Sequence, residues 1–147
     1  MKRTAGRDIT EILDIETDVK PLAEECMQLG AKLLLIKCGA PGIYYQTSSK
    51  QMLEKVGEKL ELDAAGWADL CGFERSYVPE QVLSGTGAGD TSIAAFLTAA
   101  LNGYSLEMAM HLAAATGASC VAAYDALSGL KPFAELEKKI KNGWEKM

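Results

Sequence analysis

The run Gly85-Thr86-Gly87-Ala88-Gly89-Asp90, passing straight into Thr91-Ser92-Ile93-Ala94-Ala95-Phe96-Leu97, constrains this chain more than any other stretch. Three glycines form a short loop, an aspartate closes it, and an alanine-rich helical pattern follows. Glycine lets the backbone take conformations other residues avoid and approach a ligand closely. The first turn of a helix carries N–H groups with no intrahelical partner, which makes it a ready anion site. An aspartate beside a pure anion site would repel the anion. It makes sense where the carboxylate takes a proton from an attacking hydroxyl while the amides hold a phosphate. That pairing suggests phosphoryl transfer. Taken alone, the run also reads as a glycine-rich strand-to-helix connection with Asp90 as an N-terminal cap.

The chain has 147 residues, a normal length for one domain, and 48% apolar residues supply a core. No apolar run approaches the ~20 residues of a membrane helix. Met1-Lys2-Arg3-Thr4 has no apolar stretch behind it, so no signal peptide is expected. A net charge of −5 argues against nucleic acid as the main partner, though not against a nucleotide held by local amides. The four cysteines, Cys26, Cys38, Cys71 and Cys120, form no C-x-x-C pair, and the single histidine is His111. Neither a zinc site nor a disulfide framework is expected, and thiols in apolar contexts fit a reducing cytoplasm. His111 sits in a helical pattern among Met110, Leu112 and Ala113 and reads as structural.

Residues 1–16 read as a partial helix or docking arm. Asp18 can cap a helix from Val19 to Leu29, stopped by Gly30. Leu33-Leu34-Leu35-Ile36 is a continuous apolar run, as in a parallel-sheet strand buried on both faces. Gly39-Ala40-Pro41-Gly42 is a turn and Ile43-Tyr44-Tyr45-Gln46 a returning strand. Met52–Val56 and Lys59–Leu62 read as short strands or loose turns, with Trp67, Leu70 and Phe73 covering part of the core. Tyr77 to Leu83 reads as extended. Ser105 can cap a small-faced helix, and Pro132 suits the start of a last one. The order of elements suggests a single α/β layered domain over residues 1–147.

Generic glycine motifs fit the loop badly. The dinucleotide fingerprint fails because Asp90 stands where its third glycine belongs, and a P-loop lysine is absent. The run Ser84-Gly85-Thr86-Gly87-Ala88-Gly89-Asp90 and its helix closely resemble the second signature of the PfkB (ribokinase-like) carbohydrate kinases. Leu35-Ile36-Lys37-Cys38-Gly39-Ala40-Pro41-Gly42-Ile43 resembles that family's strand and turn. The stretch from Ala118 to Gly129 falls where the family has its nucleotide-side loop. Three landmarks stand in the family's order across residues 20 to 145. The resemblance implies a ribokinase-like α/β fold with a mostly parallel sheet and flanking helices.

It also implies roles. Asp90 looks like the catalytic base, and Gly87, Ala88 and Gly89 like the anion hole whose amides neutralise the moving phosphate. Gly39 and Gly42 look like a phosphate-side turn. Ala114, Gly117 and Ala118 look like the wall of an adenine pocket, although close helix packing explains such small residues equally well. Lys37 stands where a threonine is common, and it either reaches a nucleotide phosphate, the reading taken here, or simply emerges from the strand end into water. ATP and Mg2+ are the implied cofactors, with the Mg2+ ligands mostly outside this chain. Ser84-Gly85 replaces the Asp-Thr that helps many members hold a monovalent cation, which leaves cation use open.

The resemblance reaches only the C-terminal portion of such a kinase. The family's first signature, most of its sugar-binding residues, its lid and its N-x-x-E motif have no counterpart here. Asn142-Gly143-Trp144-Glu145 matches the last by letters alone. A fold truncated at its N-terminal side would leave a sheet edge open, so a homo-oligomer or a missing N-terminal half is the expected partner. The leading reading is ATP-dependent phosphorylation of a small-molecule sugar hydroxyl, with the activity of the isolated chain open. The alternatives are a non-catalytic nucleotide-binding or assembly module, or an α/β domain with no ligand. Neither nucleic acid nor membrane is expected as a partner.

Overall fold

A computed structural model describes residues 12–58 and 62–147. The arm expected over residues 1–16 lies mostly outside them, as do residues 59–61 of the proposed Lys59–Leu62 segment. The chain enters through a π-helical turn, Ile15–Val19, and continues as α1, Lys20–Gln28. Asp14 rather than Asp18 caps this start, its carboxylate accepting from the Thr17 amide at 2.8 Å. The Asp18 carboxylate reaches back to accept from the Asp14 amide at 3.0 Å, so the helical path opens one turn earlier than Val19.

Strands β1, Leu33–Lys37, β2, Gly42–Thr47, and β3, Cys71–Arg75, form a sheet in the order β1-β2-β3. Both pairings are antiparallel, which corrects the mostly parallel sheet expected from the apolar run. The reason lies in the turn. The Cys38 amide donates to the Gly42 carbonyl at 2.9 Å, closing a hairpin too short for a parallel crossover. At Gly42, φ is +144°, and any Cβ there would collide with the Glu74 carbonyl of β3.

The continuous run in β1 reports burial from both sides, and both sides are covered. Leu33 and Leu35 pack on the larger core with Ile43, whereas Leu34 and Ile36 pack with Val19, Ala23, Cys38 and Tyr44 beneath α1. The result is a layered α/β arrangement. β1 itself is only half-buried, because β2 pairs with one of its edges alone among the described strands.

Residues 50–57, expected as strand or turn around Met52–Val56, form α2, Lys50–Gly57, which sinks Leu53 completely. Helix α3, Ala64–Trp67, is capped by Asp63 and buries Trp67 against Phe96 with ring centroids 5.8 Å apart. Leu70, expected in the core, is 42% exposed. Tyr77 to Leu83, expected as extended, forms no strand and bends at Glu80 and Leu83; among the described residues Tyr77 bridges to Lys146. Helices α4, Ala88–Leu101, and α5, Leu106–Cys120, form the central pair, and α6, Phe133–Lys141, follows Pro132. Ala95, Ala99, Ala109 and Ala113 are all buried, and such small side chains let helices approach closely. No described helix is long and apolar enough to cross a membrane.

Candidate active site

Four pieces of chain meet around a cleft of about 560 Å³. β1 ends at Lys37, the hairpin turn presents Gly39 and Gly42, α4 presents Ala88 and Gly89, and α5 presents Ala114, Gly117 and Ala118. All eight were singled out in the sequence, and all eight line this one cleft. Its size falls in the range of small-molecule sites. Gly87 and Asp90 sit at its rim, outside the lining itself.

Gly87 caps α4 with φ +79°, a left-handed conformation. Ala126 of the following loop packs so closely over it that a Cβ on Gly87 would collide with the Ala126 methyl. The residues of this helix mouth are half-exposed rather than covered. Among the described residues, the Gly87, Gly89 and Asp90 amides meet no protein acceptor, whereas the Ala88 amide donates to the Gly85 carbonyl at 3.3 Å. The expected trio of donors is therefore partly engaged within the loop, and the Asp90 amide joins the free set. Ser92 Oγ donates to the Ala88 carbonyl at 2.8 Å. A Cβ on Gly117 would lie 2.5 Å from that Oγ, so glycine is what lets α5 approach the first turn of α4.

Lys37 reaches from the end of β1 across this helix mouth. A Cβ on Gly89 would lie 2.6 Å from its Nζ, and the Nζ stands 4.0 Å from Asp90 Oδ1. The Asp90 side chain is 94% exposed. An ammonium, two successive free amides and a carboxylate thus stand together at the exposed mouth of α4. Such a set can hold an anion with several oxygens and accept a proton beside it. Among the described residues, no three His, Cys, Asp or Glu side chains gather as a metal site.

Nothing in the sequence signalled the rest of the lining, which includes Ser76, Tyr77, Val82, Val121 and Met147. Tyr77 and Met147 are brought together by bonds between segments far apart in the chain, the Met147 amide donating to the Ser76 carbonyl at 2.9 Å. His111, read as structural, lies outside the cleft lining, its Nδ1 2.8 Å from Glu74 Oε1. Cys38 is fully buried, and that burial pushes its thiol up, away from nucleophilic use.

A family model described as pfkB family carbohydrate kinase matches residues 3–132. No curated protein sequence matches the chain. Among solved structures, Arabidopsis thaliana ribokinase, complexed with ribose and ATP, is 25% identical with a TM-score of 0.65, over 84% of this chain and 34% of that one. A putative ribokinase II from E. coli, in complex with ATP and Mg2+, is 21% identical with a TM-score of 0.66, over 90% of this chain and 36% of that one. Thermotoga maritima ribokinase is 22% identical with a TM-score of 0.64, over 90% and 39%. The chain spans little more than a third of the length of these structures.

Proposed function

The chain belongs to the pfkB family of carbohydrate kinases, and from that membership we propose that its cleft binds ATP and moves the γ-phosphate to a sugar hydroxyl. The observation that carries this reading is the convergence of Lys37 Nζ, the Gly89 and Asp90 amides and the Asp90 carboxylate at the mouth of α4. The Asp90 carboxylate takes the proton from the acceptor hydroxyl. The acceptor oxygen then bonds to the γ-phosphorus as the bond to the bridging β,γ-oxygen breaks, and ADP leaves. Charge on the three remaining γ-oxygens is met by the amides of the Gly87–Asp90 turn and by Lys37. Positioning and charge stabilisation do most of the work in such a transfer.

Gly39 and Gly42 face the phosphate chain in this reading, and Ala114, Gly117 and Ala118 leave room for a flat base. A Mg2+ ion carried on the nucleotide phosphates would supply charge neutralisation. The described residues form no metal site of their own.

The experiment is an ATP-consumption assay over a panel of sugars. Asp90→Asn is expected to lower turnover about 10²–10⁴-fold, the usual worth of a positioned base, while leaving ATP affinity near that of the wild type. Gly87→Val, which drives a side chain into Ala126, should abolish ATP binding in calorimetry. Turnover that survives in Asp90→Asn ends the assignment of the base.

One observation favours the second reading, a nucleotide-binding module without turnover. At 94% exposure, the Asp90 carboxylate has no enclosed acceptor site around it among the described residues. Wild-type ATP binding without consumption on any sugar selects that reading. In the catalytic reading a second copy or an N-terminal half encloses the acceptor. The outer edge of β1, unpaired among the described residues, and the exposed Leu97 and Leu101 of α4 support such association. Sedimentation should show a concentration-dependent dimer or larger species, and a clean monomer at moderate concentration removes the self-association.

A further inference from the structure

Behind the cleft lies a charge cluster that the phosphoryl-transfer reading does not use. Glu74 of β3 is buried, only 7% exposed, and its Oε1 accepts from Lys146 Nζ and stands 2.8 Å from His111 Nδ1. Lys146 Nζ also sits 4.8 Å from the centre of the Tyr77 ring, and His111 Nε2 faces Glu107 Oε1 at 3.8 Å. A buried carboxylate is costly unless paired, and here both partners come from other parts of the chain.

Each contributing segment also supplies a cleft residue next to its charged one. Met147 follows Lys146 directly. Ser76 lies two residues beyond Glu74, just past the end of β3. Ala114 and Ala118 stand three and seven residues beyond His111, on the same face of α5. Ser76, Met147, Ala114 and Ala118 all line the cleft, as does Tyr77. The backbone repeats the arrangement, with the Met147 amide on the Ser76 carbonyl, the Val78 amide on the Glu145 carbonyl and Trp144 Nε1 on the Val78 carbonyl at 2.7 Å.

We propose that the Glu74–His111–Lys146 cluster is the positioning device of this cleft. It ties the Trp144–Met147 tail to β3 and α5, so that Tyr77 and Met147 form a fixed wall against the bound base. The proposal rests on the nucleotide reading above for the identity of the ligand, and on the geometry alone for the tie. Glu74, His111 and Lys146 act through Tyr77 and Met147 and touch no reacting atom.

The test compares wild type, Lys146→Met, Lys146→Arg and Leu53→Ala, the last a substitution at a fully buried side chain of α2, on a different element from the tail. Two quantities are read in each: Mg·ATP affinity by calorimetry, and amide hydrogen exchange at Val78 and Met147. Lys146→Met should weaken ATP about tenfold and speed exchange at both amides. Lys146→Arg, which keeps a cation on Glu74, should restore both. Leu53→Ala should lower the melting temperature at least as much as Lys146→Met while keeping wild-type affinity. Unchanged exchange in Lys146→Met overturns the tie, and an equal loss of affinity in Leu53→Ala overturns the positioning role. If the wild type binds no ATP, the nucleotide reading falls, and the exchange measurement still decides whether the tie exists.

Discussion

Gly89 is the residue on which the site turns most sharply. It sits in the first turn of α4, where alanine is a better helix former than glycine. Its cost is local: a methyl there meets the Lys37 ammonium at 2.6 Å. Lys37 is half-exposed and can swing away, so the fold survives the substitution while the cation leaves the helix mouth. Gly89→Ala is therefore expected to keep its melting temperature within about 2 °C and to weaken Mg·ATP about tenfold, close to the effect of Lys37→Met. Calorimetry on both variants and the double variant checks this. If the effects of Gly89→Ala and Lys37→Met add fully, Lys37 is not the route by which the glycine acts. The sequence showed the glycine and the lysine as separate landmarks. It did not show that one lies over the other, since that contact depends on where β1 ends relative to α4. Nor did it show that the Ala88 amide turns to Gly85, because a three-glycine loop leaves its carbonyl directions open.

At the scale of elements, the helices around the cleft were legible because their punctuation is local. Ser105 caps α5 by accepting from the Met108 amide at 3.3 Å, and Pro132 precedes α6. The strands were legible as strands, but their direction was not. A continuous apolar run reports that both faces are covered and says nothing of the neighbour's polarity. Only the length of the Gly39–Gly42 turn decides that, and it allows a hairpin alone. α2 was hidden because its three apolar side chains, Met52, Leu53 and Val56, fall in a stretch of only eight residues, where a helical period and a short strand are hard to tell apart. The close pairing of α4 with α5 makes a sharper claim. Ala113 is fully buried, as are Ala109, Leu112 and Ala115, in the same core cluster as Phe96 and Ala99 of α4. Ala113→Leu adds three carbons where no space exists and should destabilise by about 1–3 kcal/mol or more. An exposed control, Thr98→Ala on α4, should change stability by less than about 0.5 kcal/mol. Urea denaturation of the two variants checks the contrast, and a neutral Ala113→Leu would mean the helices are not held as closely as their alanines allow.

The molecule as a whole carries a pH dependence that follows from where its tyrosines lie. Tyr44 packs beneath α1, Tyr45 and Tyr77 belong to the larger core, and Tyr104 donates to Glu137 of α6 at 2.8 Å. Burial pushes the Tyr44 and Tyr45 hydroxyls up, and the hydrogen bond to Glu137 does so for Tyr104. Burial, with the Glu74 charge nearby, pushes Tyr77 up to about 12. An unfolded tyrosine ionises near pH ~10, so between there and about 12 the unfolded chain releases the Tyr77 proton while the folded chain keeps it. The unfolded state then binds fewer protons, and stability falls as pH rises through that window. Below pH ~10 the contribution is fully present. For Tyr77, buried and with a shift of roughly two units, the loss amounts to roughly 2–3 kcal/mol. Urea midpoints measured at pH 8 and pH 11.5 should therefore drop steeply in the wild type and less in Tyr77→Phe, while the two proteins differ little at pH 8. Lysines also titrate in this range, so the difference between the two proteins isolates the tyrosine. Equal losses in both would place Tyr77 in contact with solvent, and with it the wall of the cleft. The sequence held all five tyrosines in plain view but not this grouping, because Tyr77 is enclosed by a tail that ends 70 residues further along. That tail decides both the alkaline limit of the fold and the shape of its cleft.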